Sequence, residues 1–187
     1  MKSFFDALNR PAEAFRNRNR ALAFLLAAVT ILIDTIFAPL LSYFAGPFPT
    51  APDLPRMLLT TVYGCLSYLA VCAALFLVCR LFGSKAPLNA YLDTWGMTFF
   101  PTLLCSLAVA YSETFFTVFW NNSVWGMLLG IVFIGILIWK TILYVIYLRE
   151  VAGLTGGRML GAFAVVGILI LALAWLNGFA GLMTPVL

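Results

Sequence analysis

Apolar residues in this chain come in long unbroken runs rather than in alternation. The two clearest runs are Val124 to Leu148 and Met159 to Phe179, joined by the link Arg149–Arg158. Each exceeds the roughly 20 apolar residues that carry a helix across a bilayer core of about 30 Å. A link this short forces the two helices antiparallel. The same reading gives further spans at 21–43, 57–79 and 95–114. The expected fold class is therefore an all-α membrane protein with five transmembrane helices. Continuous runs exclude a transmembrane β-barrel, which needs alternation.

Polar positions refine the picture. Residues 1–20 are too charged, and the run after them too long, for an ordinary signal peptide. They read as an amphipathic segment of two short helices: Phe4, Leu8, Ala12 and Phe15 recur at helical spacing, Ser3 caps the first helix, and Pro11 opens the second. Such a segment lies in a membrane interface, with a solvated tail as the alternative. A proline-rich loop with Asp53 and Arg56 separates spans one and two. Leu88, Tyr91, Leu92, Trp95 and Phe99 share one helical face opposite Asn89 and Asp93, so span three starts at the interface, with a kink or break expected near Pro101. Thr114 to Trp120 blurs its end, and Trp120 and Trp125 suit a membrane belt.

Composition and charge then fix the class. Of 187 residues, 64% are hydrophobic and 10% charged, against about 25% charged in a soluble domain. Residues 21–187 thus form one membrane domain behind the 1–20 segment. Lys2, Arg10, Arg16, Arg18, Arg20, Arg80, Lys85, Arg149 and Arg158 all fall on one side. Only Arg56 falls on the other, and Lys140 lies within a span. Positive residues collect in the cytoplasm, which sets the N-terminus inside and the C-terminus outside. The net charge of +4 points to anionic headgroups as partners rather than nucleic acid.

Candidate chemistry is sparse. Asp34 and Lys140 are charges inside apolar runs, where each costs about 2.5–3.5 kcal/mol on insertion scales and marks a functional candidate. Counted from Arg20 and Arg149, they sit roughly 21 and 13 Å deep at about 1.5 Å per residue. An ion pair then needs an extended lysine and a tilted helix. Otherwise Lys140 snorkels and Asp34 is neutral or bonded to a hydroxyl such as that of Thr30. In span three, Thr94, Thr98, Thr102 and Ser106 step by four toward Glu113. That ladder is either a polar groove leading to a carboxylate or a set of interhelical hydrogen bonds. Cys65, Cys72 and Cys79 recur every seven residues, as a packing seam or a soft-metal path. Gly126/Gly130 and Gly157/Gly161 match GxxxG and suggest close helix contact. The chain has no histidine and no nucleophile or phosphate-loop motif, so neither an enzyme nor a cofactor is expected.

The order Asn9-Arg10-Pro11…Phe15, Gly83-Ser84-Lys85, Trp95, Pro101, Ile138-Trp139, Leu148-Arg149-Glu150, Gly153, Thr155, Gly157 and Arg158 resembles the Yip domain family, the Ypt/Rab-interacting membrane proteins. The resemblance covers nearly the whole chain. It implies an all-helical five-span fold and, for eukaryotic members, vesicle trafficking through Rab-type GTPases and membrane shaping. The short N-terminal stretch here resembles a prokaryotic-type member, and the resemblance carries no residue-level site. The expectation is a scaffold that binds other membrane proteins or itself, or that shapes the bilayer through Phe4, Leu8, Phe15, Arg16, Arg18, Arg149 and Arg158. The alternative is a small transporter, channel or lipid mover that uses Asp34 and Lys140.

Overall fold

The computed structural model describes residues 9–47 and 51–179, and every regular element among them is helical. Helix α1 (Pro11–Asn17) precedes the first span, α2 (Arg20–Ala45). Span two is α3 (Leu54–Leu81). The third pass combines α4 (Leu88–Leu92), a 3-10 turn (Trp95–Thr98) and α5 (Phe99–Thr114). Short α6 (Phe116–Phe119) leads to α7 (Ser123–Glu150) and α8 (Gly156–Phe179). Five helices are long and apolar enough to cross a membrane, and they contain the five expected spans. They run slightly longer because side-chain caps decide where a helix starts. The Asp53 carboxylate accepts from the Arg56 N–H, and the Asn122 side chain accepts from the Val124 N–H.

Contacts between the passes give their directions. Ile31 packs on Gly64 and Phe24 on Tyr68, so α2 and α3 are antiparallel. Ala23 meets Gly96 and Phe37 meets Tyr111, so α2 and the third pass run parallel. Phe82 meets Gly161 and Ser67 bonds Asn177, so α8 is antiparallel to α3. The passes alternate. Arg10, Arg16, Arg18, Arg20, Arg80, Lys85, Arg149 and Arg158 consequently gather at one end of the bundle, called the basic end below.

The third pass is the centre. In its most apolar stretch 61% of residues are buried, against 17% in α7 and 11% in α8, which stand at the edge with their apolar faces uncovered. It is also the least apolar of the five. Surrounding it with protein is what makes its hydroxyls tolerable in a bilayer.

Two irregularities shape this centre. In α2, residues Ile33–Phe37 form a π-turn, in which the Ala38 N–H bonds the Ile33 carbonyl. Pro39 explains it: an in-register helix would press the proline ring onto the Thr35 carbonyl, and a wider turn relieves the clash. In the third pass the break falls at Asp93–Thr98, ahead of the expected Pro101. Pro101 instead occupies the first turn of α5, where its missing N–H costs nothing.

The GxxxG expectation is corrected. A Cβ on Gly130 or Gly157 would meet nothing within 4 Å, and only Gly161 of those pairs is crowded, by Phe82. Close approaches fall equally at Gly64 and Gly96, neither in a motif. A Cβ at Gly96 would strike the Ala23 carbonyl oxygen. Cys72 and Cys79 are buried in the core while Cys65 is exposed, as a packing seam drifting around α3 would be.

Candidate functional site

The basic end is built on an aromatic cluster. Trp95 stacks on Tyr144 at 5.2 Å and meets Tyr147 edge-on at 5.1 Å. Tyr147 also touches Tyr91 and donates to its carbonyl at 3.4 Å. Tyr91 and Ser84 hydroxyls bond at 2.9 Å, which pins the α3–α4 turn. The sequence reading placed Tyr91 and Trp95 on one face of a helix but missed Tyr144 and Tyr147. Their spacing from Lys140 in α7, four residues and then three, is the signal that puts them on one face.

Helix α1 docks on this cluster. Phe15 is only 2% exposed and packs edge-on against Tyr147 at 5.5 Å. The Arg16 Nε donates to Glu150 at 2.6 Å, and the hydrogen bond and charge of that carboxylate raise the guanidinium pKa above its ordinary value. This corrects the expectation that Phe15 and Arg16 face the lipid interface: the apolar face of α1 is spent on the bundle. Phe4 and Leu8 lie outside the described residues. The Arg149–Arg158 link is likewise no free loop, since Val151, Ala152 and Leu154 are buried. Gly153 and Gly156 adopt left-handed backbone there, with φ of 67° and 59°, so the chain can turn back at once. Arg18, Arg149 and Arg158 remain exposed.

The hydroxyl ladder of span three is packed, not open. Thr94, Thr98, Thr102 and Ser106 are all buried. Thr94 and Thr98 donate to carbonyls of their own chain segment, at Ala90 and Trp95. Thr102 Oγ1 has no hydrogen-bond partner among the described residues. Thr98 thus bonds within its own pass, while Thr94 also interacts with the Tyr147 hydroxyl on α7. Thr30 donates to the Leu26 carbonyl, which removes it as the expected donor to Asp34.

The opposite end is open. A cleft of about 600 Å³ lies between α2, α3 and α5, lined by Asp34, Asp53, Glu113, Arg56, Ser42 and Thr60 among others. Asp34, which lines it, sits on the π-turn, a feature frequent at functional positions. The neighbouring Thr61 hydroxyl donates to Thr35 at 2.9 Å, which braces that turn against α3. Asp53, read from sequence only as a loop charge, is a helix cap that also lines the cleft.

Lys140 and Asp34 are brought within electrostatic reach of each other, and Cys105 neighbours both. The Lys140 ammonium also lies 5.9 Å from the centre of the Tyr144 ring. Among the described residues, no group of three or more Cys, Asp or Glu could hold a metal ion.

A family model, the Yip1 domain, matches residues 5–176. The chain belongs to the Yip1 domain family. The matched stretch takes in α1, all five long helices except the last residues of α8, and the three turns that form the basic end. The resemblance read from the scattered Gly, Trp, Pro and Arg positions thus holds for the whole bundle. This Yip1-domain protein is a multi-pass membrane protein. No curated protein and no solved structure matches the chain.

Proposed function

We propose that this Yip1-domain protein is a non-enzymatic membrane scaffold, which binds other membrane proteins or further copies of itself in a bacterial cytoplasmic-type membrane. Its N-terminus and basic end face the cytoplasm, as the distribution of Lys and Arg favours. The observation that carries the reading is the closed basic half. Trp95, Tyr144, Tyr147 and Phe99 fill the space between the passes, so the cleft at Asp34 stops inside the bundle. A dead-end cleft does not conduct. The edge helices supply the binding surface: α7 exposes Ile131, Ile134, Leu137 and Ile138 beside glycines whose Cβ positions are open. The docked Phe15 favours partner binding over bilayer wedging by α1.

A photo-crosslinking residue placed at Ile134 in native membranes is expected to give discrete protein adducts. The same group at Leu58 on α3, equally exposed, is expected to give lipid adducts alone. Lipid adducts at both positions would sink the scaffold reading.

A second reading has one specific observation behind it: the cleft reaches Asp34, with Lys140 in electrostatic range. Alternating exposure of that cleft would make the protein a carrier, with the two residues exchanging a proton or pairing with a solute. Reconstituted protein showing flux that Asp34→Asn and Lys140→Met both abolish would reverse the order of the two readings.

A further inference from the structure

A second cleft, of about 490 Å³, lies at the basic end between three turns of the chain. Arg18 comes from the α1–α2 turn, Gly83 and Lys85 from the α3–α4 turn, and Glu150 and Gly153 from the α7–α8 turn. Arg158 stands at its edge, with Nη1 3.4 Å from the point where a Cβ on Gly83 would lie. We propose that this cleft binds a phosphate-bearing anion, in the membrane the headgroup of an acidic phospholipid, through Arg18, Lys85 and Arg158.

Charge, rigidity and position support the site. The one carboxylate in the cleft, Glu150, is already countered, by Arg16 at 2.6 Å and Arg149 at 3.8 Å. Arg18, Lys85 and Arg158 form no salt bridge among the described residues, so the cleft keeps an unspent positive charge. A phosphate diester or monoester offers several acceptor oxygens to a guanidinium fork and an ammonium at once. All three walls are fixed before any ligand arrives. Phe15 holds the first, the Ser84–Tyr91 bond the second, and buried Val151, Ala152 and Leu154 the third. Prior rigidity lowers the entropy lost on binding.

Arg18 adds a separate mark. It is the only non-glycine residue with positive φ among those described, at 45°. Left-handed backbone costs a side-chain-bearing residue roughly 1–2 kcal/mol. A glycine would fit this left-handed C-cap of α1 without that cost, yet the position bears a cation that lines the cleft. Strain kept at a charged position is the pattern of a binding residue. The cleft also sits where α3 and α7 end and α4 and α8 begin, the level of the headgroups. This inference does not rest on the scaffold reading, since a carrier would present the same cleft.

The test uses the full chain in nanodiscs of phosphatidylcholine, with retained lipid counted by native mass spectrometry and unfolding followed by heat. Short-chain phosphatidylglycerol is expected to bind saturably and raise the melting temperature, while short-chain phosphatidylcholine does neither. Arg18→Gln, Lys85→Gln and Arg158→Gln should each weaken binding by about fivefold, as expected for one basic residue near an anionic surface. Arg56→Gln, at the other end, should bind like the parent. Arg18→Gly separates the two roles of its position: binding falls as in Arg18→Gln, while the ligand-free protein melts no lower than the parent. Displacement of the lipid by millimolar inorganic phosphate would extend the site to the free ion; no displacement would assign it to the lipid headgroup. Equal retention of the two lipids, or parental affinity in the triple Gln variant, overturns the proposal.

Discussion

The two ends of this bundle are made from the same five passes and do opposite things with polar residues. At the basic end the aromatic side chains of Trp95, Tyr91, Tyr144 and Tyr147 close the interior, and charges stay outside on α1 and the turns. At the far end Asp34, Asp53 and Glu113 share a cleft that small residues such as Ala38, Ser42 and Ala110 leave unfilled. The difference is one of side-chain volume over depth. Large rings gathered at one level leave no room for solvent, whereas small residues around a π-turn leave a crevice. A membrane protein can therefore hold a sealed half and an accessible half in one bundle without a change of fold.

The comparison is broken or sharpened most directly by access to a water-borne, membrane-impermeant thiol reagent. Added labelling over the parent is expected to be near-complete for Ser42→Cys in the cleft and absent for Thr98→Cys in the closed half. Labelling of Thr98→Cys would mean that the closed half is wet. Next in size is stability. Trp95→Ala should cost about 3–5 kcal/mol through lost packing, while Leu58→Ala, facing lipid, should stay within about 0.5 kcal/mol. Equal losses in detergent thermal unfolding would deny that the basic half is the structural core. Gly96→Ala should cost about 1–3 kcal/mol by forcing α2 off the 3-10 turn. A variant as stable as the parent would show that the close approach to Ala23 is not needed. The smallest effect is expected from Thr102→Val, which replaces a buried, unpartnered hydroxyl with a methyl group of the same shape. Its stability should be unchanged or higher by up to about 1 kcal/mol. Loss of stability there would return a polar role to the ladder.

Much of this was legible along the chain. Five runs longer than a bilayer is thick, separated by links too short to be domains, leave little freedom in topology. The lopsided Lys and Arg count predicted which turns share an end, and the bundle places them together. The Yip-type order of residues held across residues 5–176. Local signals also succeeded where the cause was local, as with Pro11 opening α1.

Failures occurred where the cause lay across the bundle. Phe15 reads as a lipid-facing residue at helical spacing, and only Tyr147, far away in sequence, turns it inward. The span-three hydroxyls read as either a path or a set of interhelical bonds, because periodicity reports which residues share a face and not what faces them. Gly126 and Gly130 match a contact motif yet touch little, while Gly64 and Gly96, in no motif, are as crowded as Gly161 because Ile31 and Ala23 happen to meet them. The sequence by itself determined the solvent, the number of passes and the sorting of charge, since each follows from transfer free energies summed over a run. Only the tertiary structure decided which faces meet, that α1 is docked, that the cleft opens at Asp34, and that Arg18, Lys85 and Arg158 share a cleft. Those depend on volumes fitted between helices far apart in the chain, and no stretch of sequence contains both partners.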